Sequence, residues 1–240
     1  MNQYDWYACG AKKPMLCYLR EKGLLSPRKQ VLLAYASIGP AASQDPYYEL
    51  AARFVDGKAS QTEIEASLLA LEREQDADPN FRDYCHNTHA DDVFLHRNLL
   101  QIARGQANIL DIDTGGLASN PFSPSEFSSP QFGVGVFLIH ELFGDPFRTV
   151  GVNPAWLSWN EGAIVHLAQE MYEATDFRRM PALADALQKA GCDDVTILHH
   201  CRGSLVHVRG CWVLDLLLGK EPVSAEPLYG LQSQEGAPRT

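Results

Sequence analysis

The last third of the chain gathers side chains that ligate metals or move protons: His199, His200, Cys201, Arg202, His207, Arg209, Cys211 and Asp215. Imidazole, thiolate and carboxylate are the donor types that zinc accepts. If His207–Gly219 forms one helix, then His207, Cys211 and Asp215 recur every four residues and share a stripe. His200, on the preceding helix, completes a set of four ligands (His200, His207, Cys211, Asp215) for a divalent metal. The spacing matches no closed zinc pattern, and a cysteine in an apolar helix more often packs as a small hydrophobe. Asp215 also has a structural assignment, as ion-pair partner of His207, Arg202 or Arg209, because a buried carboxylate without a partner is costly. That assignment carries the greater weight.

A second group is Cys85, His86, His89, Asp92 and His96. On a helix, His89, Asp92 and His96 fall at i, i+3 and i+7, a face that a divalent metal accepts. Asp91 and Asp92 equally suit a helix start, where the dipole favours negative charge. His140-Glu141 opens like a zinc-protease helix, but Gly144 stands where the second histidine belongs. His166, Glu170 and Glu173 read as the solvated side of their helix. Cys201 and Cys211 have histidine neighbours, yet burial in an apolar helix raises a thiol's pKa and quiets it as a nucleophile. A nucleophile elbow, a Walker loop and a dinucleotide-binding glycine motif are all missing from the sequence. Trp156 and Trp159, three residues apart after Pro154, are candidate anchors for a partner, with Arg202 and Arg209 beside them in the same reading.

Helices must position these groups, and the local signals for helices are good. Pro14 opens one that Gly23 ends, and Ser26-Pro27 opens another that runs to Gly39-Pro40. A third covers Pro46–Val55. Ser60-Gln61-Thr62-Glu63 is a capping box ahead of Ile64, Leu68, Leu69 and Leu71. Ala90–Ala103 and Gly133–Phe143 follow as amphipathic and buried helices. Pro154–Glu173 reads as a helix, or as a turn and a helix. Ala182–Ala190 ends at Gly191, and Asp193 or Asp194 caps Val195–Cys201. His207–Gly219 is apolar nearly all round and belongs in the core. Strand signals are too short to build a sheet. The expected fold is all-α, an irregular multi-helix array with a long central loop. Its parts are an N-terminal helical half (1–104), an irregular loop (105–132), a C-terminal helical unit (133–220) and an extended tail (221–240).

The 240 residues carry a formal charge of −10, spread unevenly. Residues 56–92 hold ten acids against three bases, whereas residues 1–55 hold seven bases against four acids. That balance, without a basic cluster, argues against nucleic acid as a partner. No apolar run reaches the ~18 residues of a membrane span, and the N-terminus lacks a signal-peptide pattern. Six cysteines without a CxxC pair imply reduced thiols and a cytoplasmic setting.

Several short motifs carry a family resemblance: Asp145-Pro146-Phe147-Arg148, Pro154-Ala155-Trp156-Leu157, the Met180–Leu187 stretch, His200-Cys201-Arg202 and His207–Trp212. Arg28-Lys29 and Asp56-Gly57-Lys58-Ala59 add to them. In these the chain resembles a large group of uncharacterised proteins known mainly from planctomycete bacteria of the Gemmata kind. The resemblance covers about the last hundred residues closely and residues 75–135 hardly at all. Its first helices are poorer in Arg and Cys than the group's. The resemblance implies a helical fold and no particular reaction. With no complete catalytic motif, the leading expectation is a soluble, non-catalytic interaction or regulatory module that binds another protein. The alternative is a metal-binding protein or metal-dependent enzyme using the His/Cys/Asp cluster and a divalent ion.

Overall fold

A computed structural model describes residues 1–38, 44–77, 88–110, 134–203 and 206–220. Among these, the regular structure is entirely helical, as expected. The helices are α1 (Gln3–Ala8), α2 (Lys12–Glu21), α3 (Pro27–Ile38), α4 (Pro46–Val55), α5 (Gln61–Ala77), α6 (Thr88–Ala103) and α7 (Val134–Phe143). They continue with α8 (Pro154–Ser158), a 3-10 turn (Trp159–Gly162), α9 (Ala163–Ala174), α10 (Met180–Lys189), α11 (Val195–Arg202) and α12 (Trp212–Leu218). Most of the expected loop (111–132) and all of the expected tail (221–240) lie outside the described residues, as do Cys85 and His86.

The starts are set by local chemistry. Asn2 and Asp5 form a reciprocal capping box on α1, and Ser60 and Glu63 do the same on α5. Asp45 accepts the Tyr47 and Tyr48 N–H groups ahead of Pro46. Asn153 accepts the Ala155 N–H beside Pro154, and Asp194 accepts from Thr196 and Ile197. Each cap satisfies N–H groups that the first helical turn leaves open.

Packing divides the apolar side chains into two clusters. The first runs from Trp6 to Phe143 and takes in α1 to α7. The second runs from Val150 to Leu217 and takes in α8 to α12. Helix α7, placed by sequence at the head of a 133–220 unit, therefore packs with the N-terminal core, through Leu138, Ile139, Leu142 and Phe143. It lies against α2 and α3 on one side and meets α12 on the other.

A buried ionic network crosses between the two clusters. Arg28 binds Asp215 through both terminal nitrogens, at 2.8 and 2.9 Å, and Asp56 through Nε at 2.9 Å. Lys29 donates to Asp215 at 2.6 Å and to the carbonyls of Leu142 and Gly210. Arg209 reaches Asp56 at 2.9 Å, and the Tyr172 hydroxyl donates to the same carboxylate.

Gly210 sits where these elements meet. Its φ is +89°, and a Cβ there would stand 2.7 Å from Leu32 and 2.8 Å from Leu142. Left-handed backbone and overpacking each cost an ordinary residue about 1–3 kcal/mol. Gly210→Ala is therefore expected to lower unfolding free energy by about 2–4 kcal/mol. The urea midpoint should fall with an unchanged m-value.

Candidate metal centre

Glu141, His200, His207 and Cys211 each bring one donor atom to a common point, with all four atoms within 4.8 Å of one another. Glu141 comes from α7 and thus from the first core, whereas the other three belong to the α11–α12 region. His200 lies in the last turn of α11. His207 lies in the irregular segment that follows. Cys211 is the N-cap residue of α12, with non-helical backbone (φ −43°, ψ 128°).

This differs from the expected stripe. The helix begins at Trp212 rather than His207, because Gly210 takes positive φ and breaks the segment. His207, Cys211 and Asp215 therefore share no helical face. Asp215 is committed to Arg28 and Lys29 and is not a member of the cluster. The carboxylate of the site is Glu141, which pattern reading tested only as part of a protease motif.

The donors face one another closely. His207 Nδ1 is 3.1 Å from Glu141 Oε1, which also accepts the Val208 N–H at 3.4 Å. His200 Nε2 is 3.1 Å from Cys211 Sγ and 3.3 Å from Glu141 Oε2. The Trp212 indole N–H donates to His200 Nδ1 at 3.2 Å. His207 Nε2, on a side chain 5% exposed, makes no hydrogen bond, and Glu141 Oε2, on one 0% exposed, has no neighbour beyond the 3.3 Å approach of His200 Nε2. Buried polar atoms without partners cost about 1–3 kcal/mol each and call for an explanation.

Burial controls the protonation of the site. It pushes the His200 imidazole down to about 4, against the opposing pull of Glu141, so the ring is neutral. It pushes the Cys211 thiol well above its ordinary value, and Glu141 adds to the shift; the N–H groups of Leu214 and Val213 act the other way. Cys201, also buried, is raised to about 12. Neither thiol is an activated nucleophile.

A cavity of about 330 Å³ borders this centre at His200. Tyr7, His140, Asp145, His199, His200 and Trp212 contribute to its wall; Glu141, His207 and Cys211 do not. Tyr7 stacks on His140 at 5.4 Å.

The remaining sequence candidates are dispersed. Trp156 is 6% exposed and packs in the second core, with Trp159 partly buried against the same core. Arg209 is held inside on Asp56, whereas Arg202 pairs at the surface with Asp185 and Gln188. His96 binds Asp45 at 2.8 Å and stacks on Tyr47. The side chains of His89 and Asp92, its expected co-ligands, lie outside the described residues. His166 is exposed, Glu170 pairs with Arg179, and Glu173 pairs with Lys58, in keeping with a solvated face.

No protein-family model matches the chain, and neither the curated proteins nor the solved structures include one significantly similar to it. Function has therefore to be argued from the site. No helix of the described residues is long and apolar enough to cross a membrane.

Proposed function

We propose that the protein binds one divalent ion of the zinc type at Glu141, His200, His207 and Cys211. The ion serves as a structural and regulatory centre rather than a catalytic one. The observation that carries this reading is the convergence of four donor atoms within 4.8 Å on largely buried side chains, where His207 Nε2 makes no hydrogen bond and Glu141 Oε2 has only His200 Nε2 beside it, at 3.3 Å. A divalent cation at the point of convergence takes lone pairs from all four side chains at once.

Charge supports the same reading. One thiolate, one carboxylate and two neutral imidazoles balance a 2+ ion, so the loaded site is neutral where it is buried. The cost of deprotonating Cys211 is met by the bond to the metal, as in other thiolate sites. Sulfur and imidazole donors select zinc and similar ions over magnesium and calcium, which prefer oxygen. Zinc bonds of about 2.0 Å to nitrogen and 2.3 Å to sulfur need only a modest contraction of the donor set. Four protein ligands fill a tetrahedron and leave no position for substrate. The free thiols of Cys9, Cys17, Cys192, Cys201 and Cys211 fit a reducing, cytoplasmic setting, in which Cys211 stays available as a ligand.

Equilibrium dialysis of tag-free protein against micromolar zinc, followed by elemental analysis, tests the proposal. One zinc per chain is expected, falling below one tenth in Cys211→Ser and His207→Ala. A wild-type chain that emerges without metal would overturn it.

A further inference from the structure

The arrangement of Trp212 and His200 bears on how such a site is controlled. An indole N–H only donates, so the 3.2 Å contact from Trp212 Nε1 requires a lone pair on His200 Nδ1. A ring with an unprotonated Nδ1 is neutral and carries its proton on Nε2. That proton points into the cluster, toward Cys211 Sγ at 3.1 Å and Glu141 Oε2 at 3.3 Å. A metal needs the lone pair of the nitrogen it binds, and Nε2 is the nitrogen that faces the other three ligands.

We infer that Trp212 is a latch on His200: it holds the tautomer that excludes metal, and metal loading releases it and reshapes the adjoining cavity. Loading at Nε2 moves the ring proton to Nδ1, where it meets the Trp212 N–H. Two donors 3.2 Å apart repel, so one ring has to turn. The inference rests on the metal reading above and adds to it a mode of control.

The surroundings determine where the change goes. Trp212 is 4% exposed, and its ring packs on the backbone of Gly144, where an added Cβ would stand 3.0 Å from the indole. Gly144 also anchors the first core, since its carbonyl accepts the Trp6 indole N–H at 3.3 Å. His200, Trp212 and Gly144 all line the 330 Å³ cavity. A turned indole therefore changes the shape of that cavity and presents an N–H to whatever fills it. Glu141, His207 and Cys211 lie outside that wall, so the two rings link the ion to the cavity. Linkage makes the effect reciprocal: a cavity ligand that accepts from Trp212 strengthens metal binding by the same factor.

Trp212→Phe keeps most of the ring volume and deletes the N–H. Zinc affinity is measured for wild type and Trp212→Phe by competition with a chromophoric chelator. The wild-type indole N–H signals are followed by two-dimensional NMR, with Trp212 assigned by its absence in the variant. The expected result is zinc binding about 5- to 10-fold tighter in Trp212→Phe, the worth of one hydrogen bond, and a displaced Trp212 signal in zinc-saturated wild type. Equal or weaker binding in the variant, with the wild-type Trp212 signal unmoved, overturns the latch and leaves the metal site standing. If Trp212→Phe fails to fold, Trp212→Leu, which also lacks the N–H, takes its place in both measurements. Absence of zinc binding in wild type removes both the latch and the site.

Discussion

Asp215→Ala is expected to lower the unfolding free energy by about 3–5 kcal/mol, the range for removing one partner of a buried ion pair. Asp215 is 1% exposed, and it faces the Arg28 guanidinium bidentately and the Lys29 ammonium at 2.6 Å. Its loss leaves two cations in the interior, where solvation cannot reach them. Arg28 retains Asp56 and the Tyr172 hydroxyl, and Lys29 retains two carbonyls. Those contacts hold the effect within that range. Urea denaturation followed by circular dichroism is the measurement, and a loss below about 1 kcal/mol would show that the network adds little.

The same network sets an acid limit. Burial alone would raise the Asp215 carboxyl, but Lys29 and Arg28 outweigh it and hold the group below its ordinary value of 3.8. Burial is likewise outweighed at Asp56 by Arg28, Lys220 and Arg209. Both carboxyls are depressed on folding, so their contribution is complete above the unfolded value and is lost as pH falls through the folded one. Stability should therefore drop steeply below about pH 4 and far less so in Asp215→Ala, which lacks one of the groups.

What the sequence revealed followed the range of the forces involved. The starts of α3, α5 and α11 are legible because Ser26, Ser60 and Asp194 act within three residues of their own positions, and those of α4 and α8 because Pro46 and Pro154 suit a first helical turn. Helix α1 went unforeseen, although Asn2 and Asp5 carry the spacing of a capping box. The all-α architecture followed from such signals and from apolar periodicity. His200, His207 and Cys211 were recognisable by type. They do come together, but not along the stripe that a continuous helix would give, because the positive φ of Gly210 interrupts it. Asp215 was drawn into the cluster for the same reason, since its partners Arg28 and Lys29 lie more than 180 residues away along the chain. Glu141 had one available signal. It is the sole carboxylate in Val134–Phe143, and a charged residue inside so apolar a helix demands a partner that the helix cannot supply.

Glu141 also gives the decisive test of the metal reading, through stability. A ligand that binds only the folded chain contributes about 2.7 kcal/mol at a hundred times its dissociation constant. For a chain of this size that corresponds to a rise in Tm of about 5–10 °C. Wild-type protein is expected to show that rise with zinc and little or none with magnesium. Glu141→Gln should lose it. The amide oxygen still accepts the Val208 N–H, so the variant's metal-free Tm should stay close to wild type. What the substitution removes is the negative charge, and the loaded site would then bury a net positive charge with a weaker fourth donor. The comparison thus separates metal binding from packing. Glu141 reaches the centre from α7 while His200, His207 and Cys211 reach it from the second core, so the ion would tie the two apolar clusters together. Zinc should accordingly stabilise the chain as one cooperative unit, with a single sharpened transition in calorimetry. An equal zinc response in wild type and Glu141→Gln would place the ion elsewhere and dissolve the clamp.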